Sequence, residues 1–117
     1  MHRGEIWLLN LDPTLGAEIR KTRPCIIVND DAVGILPLRV VVPVTEWKDR
    51  YAVAPWMVRL DPDAMNGLSK ASAADAFQMR SVAQERFVQR MGEISAQHLR
   101  KITEALAIVL KIQFYQP

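Results

Sequence analysis

Two uninterrupted apolar runs rich in β-branched residues, CIIVN (25–29) and LRVVVPVT (38–45), stand close together in a chain of 117 residues. Runs this short and this apolar read as strands covered on both faces, since a strand with one wet face would alternate apolar and polar residues. The segment between them, DDAVGILP, carries Gly34 and Pro37 and turns the chain back. No helical segment separates the two strands, so the strand–helix–strand alternation of doubly wound parallel folds does not apply.

The flanking sequence extends the β pattern. EIWLLNL (5–11) is rich in strand formers and stops at Asp12-Pro13, where proline ends a ladder. Residues 14–23 are mixed and polar around Gly16, with Pro24 holding Arg23 extended, which predicts a loop of about ten residues. After the charged and aromatic excursion EWKDRYAVAP, a strand is expected within WMVRLDPD (56–63), then a turn at NGLSKAS. ADAFQMRSV (74–82) alternates in a way that fits one half-buried strand, although a helix would also accommodate it. AQER reads as a single helical turn and FVQRMGEI (87–94) as the last strand. Ser95 stands where a helix N-cap belongs, and Leu99, Ile102, Leu106, Val109, Leu110 and Phe114 fall on one face at three- and four-residue spacing. Five or six strands and one terminal helix predict a mainly β domain spanning 1–117, a small, strongly bent sheet or barrel.

Charge matters here by position. The net charge is only +2, so affinity for a polyanion must come from clustering, and Arg20, Lys21 and Arg23 supply a cluster directly before the first buried run. The single cysteine, Cys25, heads that run and reads as a core thiol. A nucleophilic role would need a base, for which only His2 and His98 are available. The N-terminal sequence lacks the apolar core of a signal peptide, and ALAIVL is far shorter than a membrane span, so a cytoplasmic protein without membrane contact is expected.

Phosphate-binding glycine loops, zinc-ligand spacings and nucleophile elbows are absent from the sequence, which predicts no metal and no cofactor. What remains is a group of polar residues around the first loop: Glu18, Arg20, Lys21, Thr22 and Arg23, with Thr45 closing the third strand. Arginine offers paired donors to phosphate oxygens, and a threonine hydroxyl adds another. A carboxylate in the same place repels a polyanion but can accept a proton. RNA brings its own nucleophile, the ribose 2′-hydroxyl, so cleavage needs only a proton acceptor, a proton donor and stabilisation of phosphorane charge. The plainer reading is a solvated face in which Arg23 pairs with Glu18, Thr45 merely ends a strand, and Trp47, Tyr51 and Trp56 fill a core or interface.

The order of motifs resembles a known family. RGEIWLLNLDPTLGAEIRKTRPCIIVND, then VVVPVT, GLSKAS, FQMRSV, RMGEIS and the ALAIVL helix resemble the MazF/PemK toxins of bacterial toxin–antitoxin systems, from Arg3 to about Leu110. The resemblance implies an SH3-like barrel with a C-terminal helix, a homodimer and a cognate antitoxin partner. It also implies metal-independent cleavage of single-stranded RNA to 2′,3′-cyclic phosphate and 5′-hydroxyl ends. By motif it places catalysis on Arg23, Thr45 and Glu18. The loop's charge is then explained if it borders an RNA groove, and Arg20, Lys21, Thr22 and Arg80 are expected to contact RNA. Glu18 is then either the proton acceptor or the residue that orients Arg23.

Two positions depart from the family pattern. Relatives carry an acid before the Gln of D-Q-x-[R/K], where this chain has Phe77, with Asp75 two places earlier on what would be the same side of one strand. Glu46 adds a negative charge beside Thr45. Both leave room for a non-catalytic relative, and a gyrase-poisoning toxin of the same barrel fold, acting through its helix and tail, is the other alternative. That alternative would have no use for the GAEIRKTRP loop.

Overall fold

The computed structural model describes residues 1–34 and 36–113. Its elements in chain order are β1 (Glu5–Asn10), β2 (Thr22–Ile27), β3 (Leu38–Glu46), β4 (Met57–Leu60), β5 (Ser72–Asp75), β6 (Arg80–Ala83), β7 (Phe87–Glu93) and α1 (Ala96–Leu110). Short 3₁₀ turns occupy Asp49–Val53, Ala76–Gln78 and Gln84–Arg86, the last where a helical turn is expected. All strand pairs are antiparallel, in the order β4-β5-β3-β2-β1-β7, with β6 also pairing β3. The sheet is bent but does not close: β4 and β7 end the path, and no pairing joins them among the described residues.

The uninterrupted runs behave as their composition requires. One face of β2 and β3 carries Ile26, Val42 and Val44 into a core completed by Ile6, Leu60 and Ala74, and by Ile102 and Ala105 of α1. The other face carries Cys25, Ile27 and Val41 into a second cluster with Leu9, Leu11 and Val82, flanked by Trp7, Ile19 and Phe87. Each Ile, Val or Leu so buried stabilises the fold by roughly 1.5–3 kcal/mol. Trp7 meets Phe87 edge to face at 5.6 Å.

α1 starts where Ser95 Oγ accepts the His98 N–H at 3.1 Å. It stops where Lys111 turns left-handed at φ 56°, with the Lys111 and Ile112 N–H groups returning to carbonyls of the last turn. Leu99, Ile102, Leu106 and Val109 pack inward as the spacing predicts. Leu110 does not: it is half exposed, and Ala105 takes the buried position instead. Phe114 lies outside the described residues. Among the described residues no helix is long and apolar enough to cross a membrane.

Two expectations need correction. Thr22 and Arg23 are not loop residues; they open β2, pairing with Asn10 and Leu9 of β1. Nor is 74–82 one strand. Along β3 the neighbouring strands match Val44 with Ala74 of β5 and Val41 with Arg80 of β6, so three steps on β3 face six from β5 to β6. The three surplus residues are the 3₁₀ turn Ala76–Gln78, which leaves the sheet and re-enters it.

Candidate active site

The loop between β1 and β2 is tied down at its foot. Asp12 Oδ1 accepts the Lys21 N–H at 3.2 Å and the Thr14 hydroxyl at 3.4 Å, while the Leu11 N–H donates to the Lys21 carbonyl at 2.9 Å. Arg86 Nη1 donates to the carbonyls of Asn10 (3.2 Å) and Asp12 (2.7 Å), bracing the same point. Lys21 adopts φ 69°, the left-handed conformation that turns the chain into β2. Arg20, Lys21, Thr22 and Arg23 are exposed as a result, and Arg23 Nε donates to the Arg20 carbonyl at 3.3 Å.

Pleating then sorts the charges. Cys25–Pro43 is the last pair of the β2–β3 ladder; beyond it, by alternation, Arg23 shares a face of β2 with Cys25 and Thr45 a face of β3 with Pro43. Thr45 pairs with Ala73 on β3's other edge, so Asp75, two residues on, shares that face. Glu46 alternates to the opposite face, where its carboxylate meets Lys70 Nζ at 3.3 Å. The charge that looked out of place beside Thr45 is thus directed away from it. Beyond Thr45, Trp47 lies under the Arg59 guanidinium at 5.1 Å and edge-on to Tyr51 at 5.9 Å.

Beside this face is a cleft of about 430 Å³ lined by Ala17, Glu18 and Ile19 of the loop, Pro43 of β3, and Phe77, Gln78, Met79 and Arg80. Arg80 also donates to the Leu11 carbonyl at 3.4 Å. Glu18 is exposed, and its Oε1 accepts the Leu15 N–H at 2.6 Å. No ion pair joins it to Arg23 among the described residues, so the expected orienting contact is not formed. Phe77 stands exposed on the turn, edge-on to Trp56 at 6.2 Å. Asp75 is buried, 5% exposed, and does not follow Phe77 along a strand, because the chain leaves the strand between them. Its Oδ1 accepts the Phe77 N–H at 3.1 Å and its Oδ2 the Gln78 amide at 3.3 Å. Burial pushes its carboxyl above the usual range, and those hydrogen bonds pull it part of the way back.

The sequence assigns no role to two contributors. Gln78, the Gln of the D-Q-x-[R/K] pattern, bridges the turn and the loop, and Arg86, whose sequence signal is a lone cation before the last strand, braces the loop's foot. Cys25 is the core thiol that the sequence predicts, and the alternative of a nucleophile fails on geometry. Cys25 is fully buried and pushed up to about 12 by burial, against the opposing effect of Arg80. His98 faces Ser95 and His2 faces Asp31.

A family profile described as PemK-like, MazF-like toxin of type II toxin–antitoxin system matches residues 2–110. The chain is 36% identical to the endoribonuclease MazF9 of Mycobacterium tuberculosis over 118 residues, covering 96% of this chain and 98% of that one. In structure it is similar to MazF of Deinococcus radiodurans, with a TM-score of 0.78 at 25% identity over 96% of this chain and 97% of that one. It is also similar to an endoribonuclease in complex with its cognate antitoxin from Mycobacterial species, with a TM-score of 0.77 over 98% and 99% of the two chains; at 20% identity that likeness shows the fold. With the profile spanning nearly the whole chain and a relative matched end to end, the protein belongs to the PemK-like, MazF-like toxins of type II toxin–antitoxin systems.

Proposed function

We propose that this toxin is an endoribonuclease that cleaves single-stranded RNA without a metal. The observation that supports the reading is that Arg23 and Thr45 lie just beyond the last β2–β3 pair, Cys25–Pro43, whose Pro43 lines the cleft together with Glu18 and Arg80. The ribose 2′-oxygen attacks the adjacent phosphorus, the bond to the 5′-oxygen breaks, and the products are a 2′,3′-cyclic phosphate and a 5′-hydroxyl.

Each residue has a role set by its chemistry. Arg23, always protonated, stabilises the phosphorane's charge and the departing 5′-oxygen, which takes its proton from solvent water to become the hydroxyl. Thr45 donates to a non-bridging oxygen. Glu18, on the rim of the cleft and unpaired with Arg23, is the carboxylate that accepts the 2′-hydroxyl proton. Arg20, Lys21, Thr22 and Arg80 hold the RNA backbone. In this reading the protein acts in the cytoplasm as a homodimer, and a cognate antitoxin, the partner that membership of a toxin–antitoxin system calls for, covers the cationic cluster.

The test is to incubate the protein with a long single-stranded RNA in EDTA, beside Arg23→Ala, and map the fragment ends. Discrete cuts ending in 2′,3′-cyclic phosphate, lost in the variant, are expected. Intact RNA with a folded protein would overturn the reading.

A further inference from the structure

The loop that carries Glu18, Arg20 and Lys21 is tied at its foot by Asp12 and Arg86, but its middle is held differently. The Ile19 side chain packs against the second core cluster, and the Gln78 amide clasps the backbone on both sides of Glu18. Gln78 Oε1 accepts the Ile19 N–H at 2.5 Å, and Nε2 donates to the Ala17 carbonyl at 3.3 Å. Nε2 donates also to Asp75 Oδ2 at 3.3 Å, so both donors and the acceptor of the amide are in use.

Asp75 decides which way the amide faces. A carboxylate only accepts, so it fixes Nε2 toward itself and leaves Oε1 for Ile19. Its other oxygen takes the Phe77 N–H and holds the 3₁₀ turn in the shape that presents Gln78. Asp75 is itself buried at the end of β5, in the sheet that carries Thr45. Asp75, Gln78 and the backbone of residues 17–19 therefore form one rigid link from the sheet to Glu18.

We propose that Gln78, oriented by Asp75, is a positioning residue that holds Glu18 in place for proton transfer. The proposal rests on the ribonuclease reading above for its catalytic consequence, while the link itself is testable without RNA. Arg23 and Thr45 sit on strands, and the Arg20 carbonyl that Arg23 Nε meets lies at the foot of the loop, which Asp12 and Arg86 hold without Gln78. Freeing the loop misplaces Glu18 alone among the three, and a displacement of about an ångström is enough to cost one to two orders of magnitude in rate.

Two measurements on Gln78→Ala and Gln78→Glu test this. In the first, amide exchange of Ile19 is followed by NMR: Gln78→Ala is expected to lose the protection that Gln78 Oε1 gives, with the strands unchanged, whereas Gln78→Glu, which keeps an acceptor for Ile19 but has no donor for the Ala17 carbonyl and sets a carboxylate against Asp75, is expected to lose part of it. Unchanged Ile19 exchange overturns the link. In the second, kcat for RNA cleavage is measured for Gln78→Ala in the wild-type and Glu18→Gln backgrounds. A fall of roughly tenfold or more in the first background, and a factor near one in the second, is the non-additivity expected when one residue acts through another. An equal fall in both backgrounds would show that Gln78 acts independently of Glu18 and would sink the proposal. So would faster Ile19 exchange with full cleavage by Gln78→Ala. A wild-type protein that cuts no RNA removes the ribonuclease reading, and the catalytic half of the proposal with it, while the exchange measurement still decides the link.

Discussion

Gly92 of β7 lies directly under Met65: a Cβ built on Gly92 would overlap the Met65 carbonyl oxygen and stand 3.0 Å from the Asn66 carbonyl carbon. The Met65 carbonyl accepts the Glu93 N–H at 3.0 Å, so the turn at residues 63–68 is fastened onto β7 backbone to backbone. Asn66, fully buried, holds the turn by donating to the Asp61 carbonyl at 2.9 Å and accepting the Leu68 N–H at 2.9 Å. Gly92→Ala is expected to destabilise the fold by about 2 kcal/mol or more, because the obstacle is backbone and cannot rotate away. The urea midpoint measures it, and a midpoint within experimental error of wild type would contradict the packing described.

Cys25 is expected to be inert in the folded protein. With its thiol pushed up to about 12 and no exposed surface, the thiolate that alkylating agents attack is scarce at pH 8. Labelling by iodoacetamide should be slower than in urea-unfolded chain by roughly a thousandfold or more, as it must await opening. Comparable rates in the two states would place the thiol at the surface.

Asp75 gives stability a defined pH dependence. Burial raises its carboxyl above the ordinary 3.8, so between 3.8 and the raised value the folded chain holds a proton that the unfolded chain has released. Its contribution is therefore fully present below 3.8 and is lost as pH rises through the folded value. Asparagine at this position cannot titrate. The difference in unfolding free energy, wild type minus Asp75→Asn, should fall with rising pH across that window and be level on either side. A difference that rises instead would mean that hydrogen bonds to the carboxylate outweigh its burial.

The cations at the loop edge should act as phosphate contacts. Arg20→Ala and Lys21→Ala are each expected to weaken RNA binding and to reduce the slope of log K against log salt by about 0.7, the share of one contact on a single strand. Arg23→Ala should cost far more in cleavage than in binding. Loss of affinity without any change in salt slope would assign Arg20 and Lys21 to folding of the loop instead.

The cationic cluster, the terminal helix and its Ser95 cap, and the buried strands β2 and β3 are all legible in the sequence, because each depends on local pattern. What escaped it depends on which edges are paired. Pro24 suggested that Arg23 precedes the strand, yet β2 includes it: Pro24 pairs with Leu8 of β1, while the ladder to β3 begins only at Cys25, so the missing N–H breaks nothing. Pro43 stands in the middle of β3, and along the edge facing β5 and β6 the ladder is interrupted at its position. A proline in an apparently central strand was thus the available sign that 74–82 could not run straight beside it. The Gln78 contacts join residues some sixty positions apart and follow from that interruption, which no periodicity reports.

The surplus of three residues opposite β3 separates two design problems that most sheets solve together. Pairings on either side of the interruption keep their partners whatever the excursion between them contains, so Ala76–Gln78 can change in length or chemistry while β3, β5 and β6 stay in register. One wall of the cleft is accordingly a replaceable jaw on a fixed frame. A chain built this way can alter what it grips by editing a few residues, with its hydrophobic interior left untouched.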